Sequence, residues 1–241
     1  MIKNKKKQFG NIIIKIYEKC PDNWNDFLKL SEFGTYYQTK EYSDYRKKIV
    51  GHIPVFLQFF IKQELIGELL LFQTKFALNY SKKIFGDGKI FSAYKKIAKT
   101  KNDFTWNYGP VVKNSAYNKE IMNALWKFLD SNKSTFRGYA NPLSKCVFED
   151  LNGINVKKSG TFVIDLGLDI DKILLNTDKN SVRKNIKRSE KREVIIKEIK
   201  NDNEINYHYK LLKEHRLRNN LISPSKESVK KMYEFGKNKG I

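Results

Sequence analysis

The chain has 241 residues, 40% of them apolar and 13% aromatic, which is enough to build a core and excludes a disordered or collagen-like chain. Lys and Arg number 47 against 26 Asp and Glu, a formal net charge of +21, which points to a polyanionic partner: nucleic acid, nucleotide phosphate or anionic lipid. Only seven of the basic residues are arginine, and their positions carry more information than the total, because a guanidinium grips phosphate through two parallel hydrogen bonds while scattered lysine mostly solvates a surface.

From the N-terminus, the β-branched run Asn11 to Tyr17 predicts a first strand, followed by a helix over Trp24 to Leu30 opened by Pro21 and Asp22, and a second helix over Lys40 to Ile49. Pro54 to Ile61 and Glu64 to Thr74 are rich in Val, Ile, Leu and Phe and are separated only by Lys62 and Gln63, the spacing of a tight antiparallel hairpin. Further strands are expected at Lys89 to Lys95, Phe104 to Tyr108 and Thr135 to Tyr139, with a turn at Phe85 to Gly88 and a helix from Ala116 to Leu129. Trp106 and Tyr108 are expected to face the same side of their strand.

After a connection over Ala140 to Lys158 the pattern restarts. Thr161 to Leu166 and Val194 to Ile199 read as strands, with helices over Asp169 to Leu175, Ser181 to Arg192, Asn203 to Arg218 and Ser225 to Lys237. The fold class is therefore α/β, of the α+β kind, as two units of similar order over residues 1–158 and 159–241. The last helix ends at Gly240 where a further strand would follow, so the second unit is expected to be incomplete.

Cys20 and Cys146 lie far apart with no CxxC or Cys/His cluster, which argues against a disulfide framework or structural zinc and for a reducing compartment. The stretch MIKNKKKQFG has no apolar core before a small-residue cleavage site, so a cytoplasmic chain is expected. The longest apolar stretches are interrupted by Gln58, Gly67 and Glu68 and are too short to span a bilayer. Any membrane contact is expected to be peripheral, at the inner face.

His52, His208 and His215 show no metal spacing, and no GxSxG, HExxH or P-loop pattern occurs, which sets aside hydrolase and ATPase chemistry. The FGDGK segment fits a hairpin turn and carries no chemistry. The densest charge lies in Lys179 to Lys200, nine basic residues against three acidic. In a helix starting near Ser181, Arg183, Lys187 and Lys191 stack on one face, able to hold a diphosphate, while Val182 and Ile186 turn towards the core.

Three segments resemble elements of the FemABX family, the aminoacyltransferases that build peptidoglycan interpeptide bridges. YYQTKEYSDYRK (Tyr36 to Lys47) resembles the family's Q-S-x-x-W-x-x-x-K element, with Gln38 kept, Thr39 for Ser, Tyr42 for Trp and Arg46 as the basic residue. FTWNYGPVV (Phe104 to Val112) resembles its aromatic-Gly-Pro-Val element, and SVRKNIKRSEKREVIIKE (Ser181 to Glu198) its R-x-x-I-(K/R)-x-x-x-K helix leading into a strand.

The resemblance implies tandem acetyltransferase-like (GNAT-like) domains with mixed, largely antiparallel central sheets. It also implies transfer of an amino acid from aminoacyl-tRNA to an amine of a nucleotide- or lipid-linked muropeptide, with no cofactor and no metal. Arg46 and Arg183 would hold the acceptor phosphate with support from Lys187 and Lys191, and Gln38 and Tyr108 would lie beside the substrate. No residue declares itself as the catalytic base, and oligomeric state is left open. The alternatives are an acetyl-CoA-dependent acyltransferase, although no (Q/R)-x-x-G-x-(G/A) pyrophosphate loop occurs, and a noncatalytic basic module binding RNA or a membrane surface.

Overall fold

Alternation in IIIKIY places Ile12, Ile14 and Ile16 on one face of a strand, and all three are buried. That strand belongs to a mixed, largely antiparallel sheet in a computed structural model that describes residues 5–74, 103–144, 154–158, 160, 161 and 163–239. The strand expected at Lys89 to Lys95, the turn at Phe85 to Gly88 and Cys146 lie outside the described residues. The chain divides into two compact units, Met1–Lys157 and Lys158–Ile241.

In the first unit the strands are β1 (Lys5–Phe9), β2 (Ile12–Tyr17), β3 (Ile53–Ile61), β4 (Glu64–Thr74), β5 (Asp103–Asn107), β6 (Val111–Val112) and β7 (Thr135–Tyr139). Their order is β1-β2-β3-β4-β5-β7, with β6 also paired to β4. Every pairing is antiparallel except β5 with β7, which are joined through helix α3 (Asn118–Ser131), as a parallel connection requires. The β3–β4 hairpin turns at Lys62, whose φ of 55° closes it in two residues. β1 is an addition to the expected strands: its KKKQF composition suits a solvated edge.

Both faces of β3 and β4 are covered. On one, Val55, Leu57, Phe59, Leu69 and Leu71 meet Ile121, Leu125 and Phe128 of α3. On the other, Phe56, Leu70 and Phe72 meet Trp24 and Leu28 of α1 (Trp24–Leu30) and Tyr42 of α2 (Lys40–Tyr45). Gly67 permits the close approach of α3, since a Cβ there would lie 2.6 Å from Ile121 Cδ1. Trp106 is buried in this core, but Tyr108 lies beyond the strand with φ at 50°, so the two do not share a strand face.

The second unit contains α4 (Ile170–Asn176), a π turn over Lys179–Arg183, α5 (Lys184–Lys191), α6 (Asp202–Arg218) and α7 (Lys226–Lys239). The strands expected at Thr161 to Leu166 and Val194 to Ile199 are absent among the described residues. Their β-branched composition leaves Val194, Ile195 and Ile196 60%, 75% and 95% exposed, and a strand also needs a neighbour to receive its backbone hydrogen bonds. Val182 and Ile186 are likewise exposed rather than turned into a core. Among the described residues no helix is long and apolar enough to cross a membrane.

Candidate functional site

The site in the first unit begins at an interruption in the sheet. On one edge of β4 the ladder to β6 covers Gly67 and Glu68, and the ladder to β5 covers Phe72 to Thr74. Gln38 fills the space between them. Its Oε1 accepts from the Leu70 N–H at 2.7 Å and its Nε2 donates to the Asn107 carbonyl at 2.7 Å, so one side-chain amide takes the place of a peptide unit. Trp24 Nε1 donates to the Gln38 carbonyl at 2.6 Å, and Gln38 is fully buried. Its amide therefore presents no atom to a ligand in this conformation.

Thr39 follows as the cap of α2, its hydroxyl accepting from the Tyr42 N–H at 3.2 Å. Within α2 and the turn that continues it, Tyr42 and Arg46 lie four residues apart and so on the same side. The buried Tyr42 hydroxyl accepts from Asn107 Nδ2 at 2.8 Å, and the half-buried Arg46 guanidinium lies 5.8 Å from the Tyr42 ring and 5.3 Å from that of Phe72. A chain of edge-to-face rings then leads from Tyr42 through Tyr37 (5.2 Å) to Tyr108 (4.8 Å). Gly109 is needed beneath it, because a Cβ would lie 2.7 Å from Leu69 Cδ1 and 2.8 Å from Gln38 Nε2.

Among the described residues Arg46 is held without a counter-charge. Its Nη2 donates to His52 Nδ1 at 2.8 Å, Nη1 reaches the Tyr42 hydroxyl only at 3.5 Å, and Nε is buried with no hydrogen-bond partner. Among the described residues no carboxylate pairs with it. Burial, reinforced by the neighbouring guanidinium, pushes the His52 pKa down to about 4, so the imidazole is neutral at ordinary pH. Sequence spacing did not single out His52. The available signal is Gly51, whose φ of 76° reverses the chain at the end of a π turn over Arg46–Val50 and brings the next residue back.

On the same face of β4 as Leu70 and Phe72 lies a buried carboxyl. Glu68 Oε1 accepts from Gln58 Nε2 at 2.7 Å, Oε2 has no partner, and burial pushes the pKa up to about 8. Burial also raises the Cys20 thiol to about 12, far from a nucleophile's range.

In the second unit Asp178 caps the π turn, accepting from the Ser181 N–H at 2.5 Å and hydroxyl at 2.6 Å. Arg183 ends that turn half-buried, its Nε again without a partner, while Lys187 and Lys191 are exposed on α5. The structure thus gathers Gln38, Arg46 and Tyr108 around Tyr37, Tyr42 and Asn107, and places Arg183, Lys187 and Lys191 together along one helical segment of the other unit. An open groove of about 500 Å³ between α6 and α7 is lined by Ile205, His208, Val229, Met232 and Tyr233. Among the described residues no group of three His, Cys, Asp or Glu side chains could hold a metal ion. No known protein family, curated protein or solved structure matches the chain.

Proposed function

We propose that this chain is an aminoacyltransferase of the FemABX kind, moving an amino acid from aminoacyl-tRNA to an amine of a phosphate-bearing muropeptide. The observation that carries the proposal is the meeting of two separately matched elements: Asn107 of the second bonds the Tyr42 hydroxyl, beside which Arg46 of the first lies, and Tyr108 of the second packs on Tyr37 of the first, which in turn packs on Tyr42. The sheet of the first unit, antiparallel strands followed by a helix-linked parallel pair, supports a GNAT-like domain. A second GNAT-like domain would have to be completed by a sheet that the described residues of the second unit do not form.

In this reaction the acceptor amine attacks the ester carbon of aminoacyl-tRNA. The N–C bond forms, the ester C–O bond breaks, and the amine proton leaves with the tRNA hydroxyl. The ester is already activated, so the protein's tasks are alignment and charge stabilisation. Arg46 in the first unit is the candidate contact to the acceptor's phosphate, and Arg183 is a second candidate within its own unit. Both have unpartnered Nε atoms at π turns, a local distortion that recurs at functional sites. Gln38 is reassigned within this proposal from substrate contact to support of the sheet edge on which the site rests.

The test is binding of a nucleotide-linked muropeptide, combined with transfer of labelled amino acid from charged tRNA. Arg46→Ala is expected to weaken acceptor binding roughly 10- to 100-fold, the loss of a charged hydrogen-bonding group. Unchanged affinity in both Arg46→Ala and Arg183→Ala would reject the assignment. A second proposal, a noncatalytic membrane-surface module, is favoured by the exposed Val182 and Ile186 beside the basic residues of α5. Binding to anionic vesicles with no transfer activity would select it.

A further inference from the structure

We propose that His52 is a positioning and specificity-determining residue of the Arg46 site: it orients the guanidinium through a neutral acceptor and so leaves the full positive charge for an oxyanion. The inference rests on the proposal that Arg46 meets the acceptor's phosphate, and adds how that charge is kept available.

Arg46 must be held in place, because a free arginine side chain loses rotamer entropy on binding. A carboxylate would hold it best but would also neutralise it. The chain uses carboxylates elsewhere, as in Lys113 with Glu64 at 2.6 Å and Lys230 with Asp202 at 2.5 Å. At Arg46 the acceptor is instead His52 Nδ1 at 2.8 Å. An Nδ1 that accepts leaves the ring proton on Nε2 and the ring uncharged.

The support for His52 is itself built on Arg46. The N–H groups of Gly51 and His52 both donate to the Arg46 carbonyl, the latter at 3.2 Å. The loop that carries the acceptor is thus pinned to the residue it serves. The His52 ring packs against Phe72, 6.1 Å between centroids, and the Arg46 guanidinium lies 5.3 Å from that same ring. Side chain, loop and aromatic floor fix one side of the guanidinium. Among the described residues, each Nη nitrogen has one hydrogen left without a protein partner. Burial and the adjacent positive charge both oppose protonation of His52, so neutrality persists across the working pH range.

The experiment titrates the full chain with inorganic pyrophosphate at fixed ionic strength near neutral pH, with a thermal melt of each variant. Arg46→Ala is expected to weaken binding roughly tenfold or more. His52→Asp is expected to do the same while its melting temperature stays level or rises, because the new carboxylate pairs with Arg46 and cancels it. His52→Asn, whose Oδ1 can replace Nδ1 as a neutral acceptor, is expected to stay within about threefold of the parent. Lys119→Gln, an exposed site on α3, controls for loss of one positive charge and is expected to have little effect.

If Arg46→Ala weakens binding but His52→Asp does not, the inference about His52 is wrong while the Arg46 site stands. That inference also fails if His52→Asn loses as much binding as His52→Asp with its melt unchanged. If Arg46→Ala binds as tightly as the parent, or the parent does not bind, the Arg46 site itself falls and the inference with it.

Discussion

The two units hold their candidate arginines in different ways. Arg46 stands on a doubly covered sheet, flanked by the rings of Tyr42 and Phe72 and bonded to His52. Arg183 stands on a capped turn in a unit where, among the described residues, only Ile205 and Val229 are buried apolar side chains. A phosphate site needs its donors placed to within a fraction of an ångström, which packing supplies and a lone cap does not. The first unit therefore holds its candidate arginine in a preorganised setting. The second offers charge whose placement depends on far fewer contacts.

The most direct challenge to this contrast is to remove packing from each unit in turn. Leu69→Ala, at a fully buried position on β4, is expected to destabilise the first unit by about 3 kcal/mol, within the usual range for a leucine in a closed core. All three tryptophans, Trp24, Trp106 and Trp126, belong to this unit, so tryptophan fluorescence during urea unfolding measures the shift. Val229→Ala removes two methyl groups from a thin apolar contact and is expected to lower the helix signal in far-UV circular dichroism with a loss nearer 1 kcal/mol. A Val229→Ala variant that moved the tryptophan midpoint as far as Leu69→Ala does would erase the distinction.

Protonation separates the two units in another way. Glu68 has a folded pKa raised by burial to about 8 from an ordinary 4.5. Between those values the folded chain keeps a proton that the unfolded chain has lost, so this group makes stability fall as pH rises through that window. Glu68→Gln is expected to match the parent near pH 4 and to exceed it above pH 8, by at most roughly 5 kcal/mol, with the tryptophan midpoint as readout. In the second unit the sign reverses. Asp178 is held below its ordinary value chiefly by the Ser181 hydroxyl, and Glu227 by Lys231. Their stabilisation is present at neutral pH and disappears as pH falls through their lowered values. A parent midpoint that rises between pH 5 and 8 in step with that of Glu68→Gln would show that Glu68 is not a buried neutral acid.

Much of the first unit is legible in its sequence because apolar periodicity and two-residue turns are local signals. The β3–β4 hairpin follows from Pro54 to Ile61 and Glu64 to Thr74 alone. β1 is hidden because three of its five residues are lysine and its pairing to β2, rather than burial, makes it a strand. In the second unit VIIKEI has the composition of a strand and remains unpaired, since composition cannot supply a neighbour. At the site, Tyr42 and Arg46 share a helical spacing of four that places them on one side. His52 does not fit that spacing and reaches Arg46 only through the reversal at Gly51. The resemblance puts Gln38 beside the substrate, whereas its burial depends on a break between β5 and β6 that forms only when the sheet assembles.

A milder change concerns how the Arg46 helix begins. Thr39 is bonded through its hydroxyl to the Tyr42 N–H, and the corresponding device in the second unit is Asp178 at the start of the Arg183 turn. Thr39→Ala removes an N-cap and is expected to lower stability by about 1 kcal/mol, roughly 0.5 M in the tryptophan urea midpoint at a slope of about 2 kcal/mol/M. Thr39→Ser keeps the acceptor and is expected to leave that midpoint nearly unchanged. Because Tyr42 is also anchored by Asn107 and by its aromatic neighbours, Thr39→Ala should cost stability with little loss of pyrophosphate binding. Asp178→Ala has no comparable packing to fall back on, and its expected signature is a loss of helix signal around Lys179 to Lys191. Equal loss of binding and stability in Thr39→Ala would mean that the cap, and not the packed face of α2, is what places Arg46.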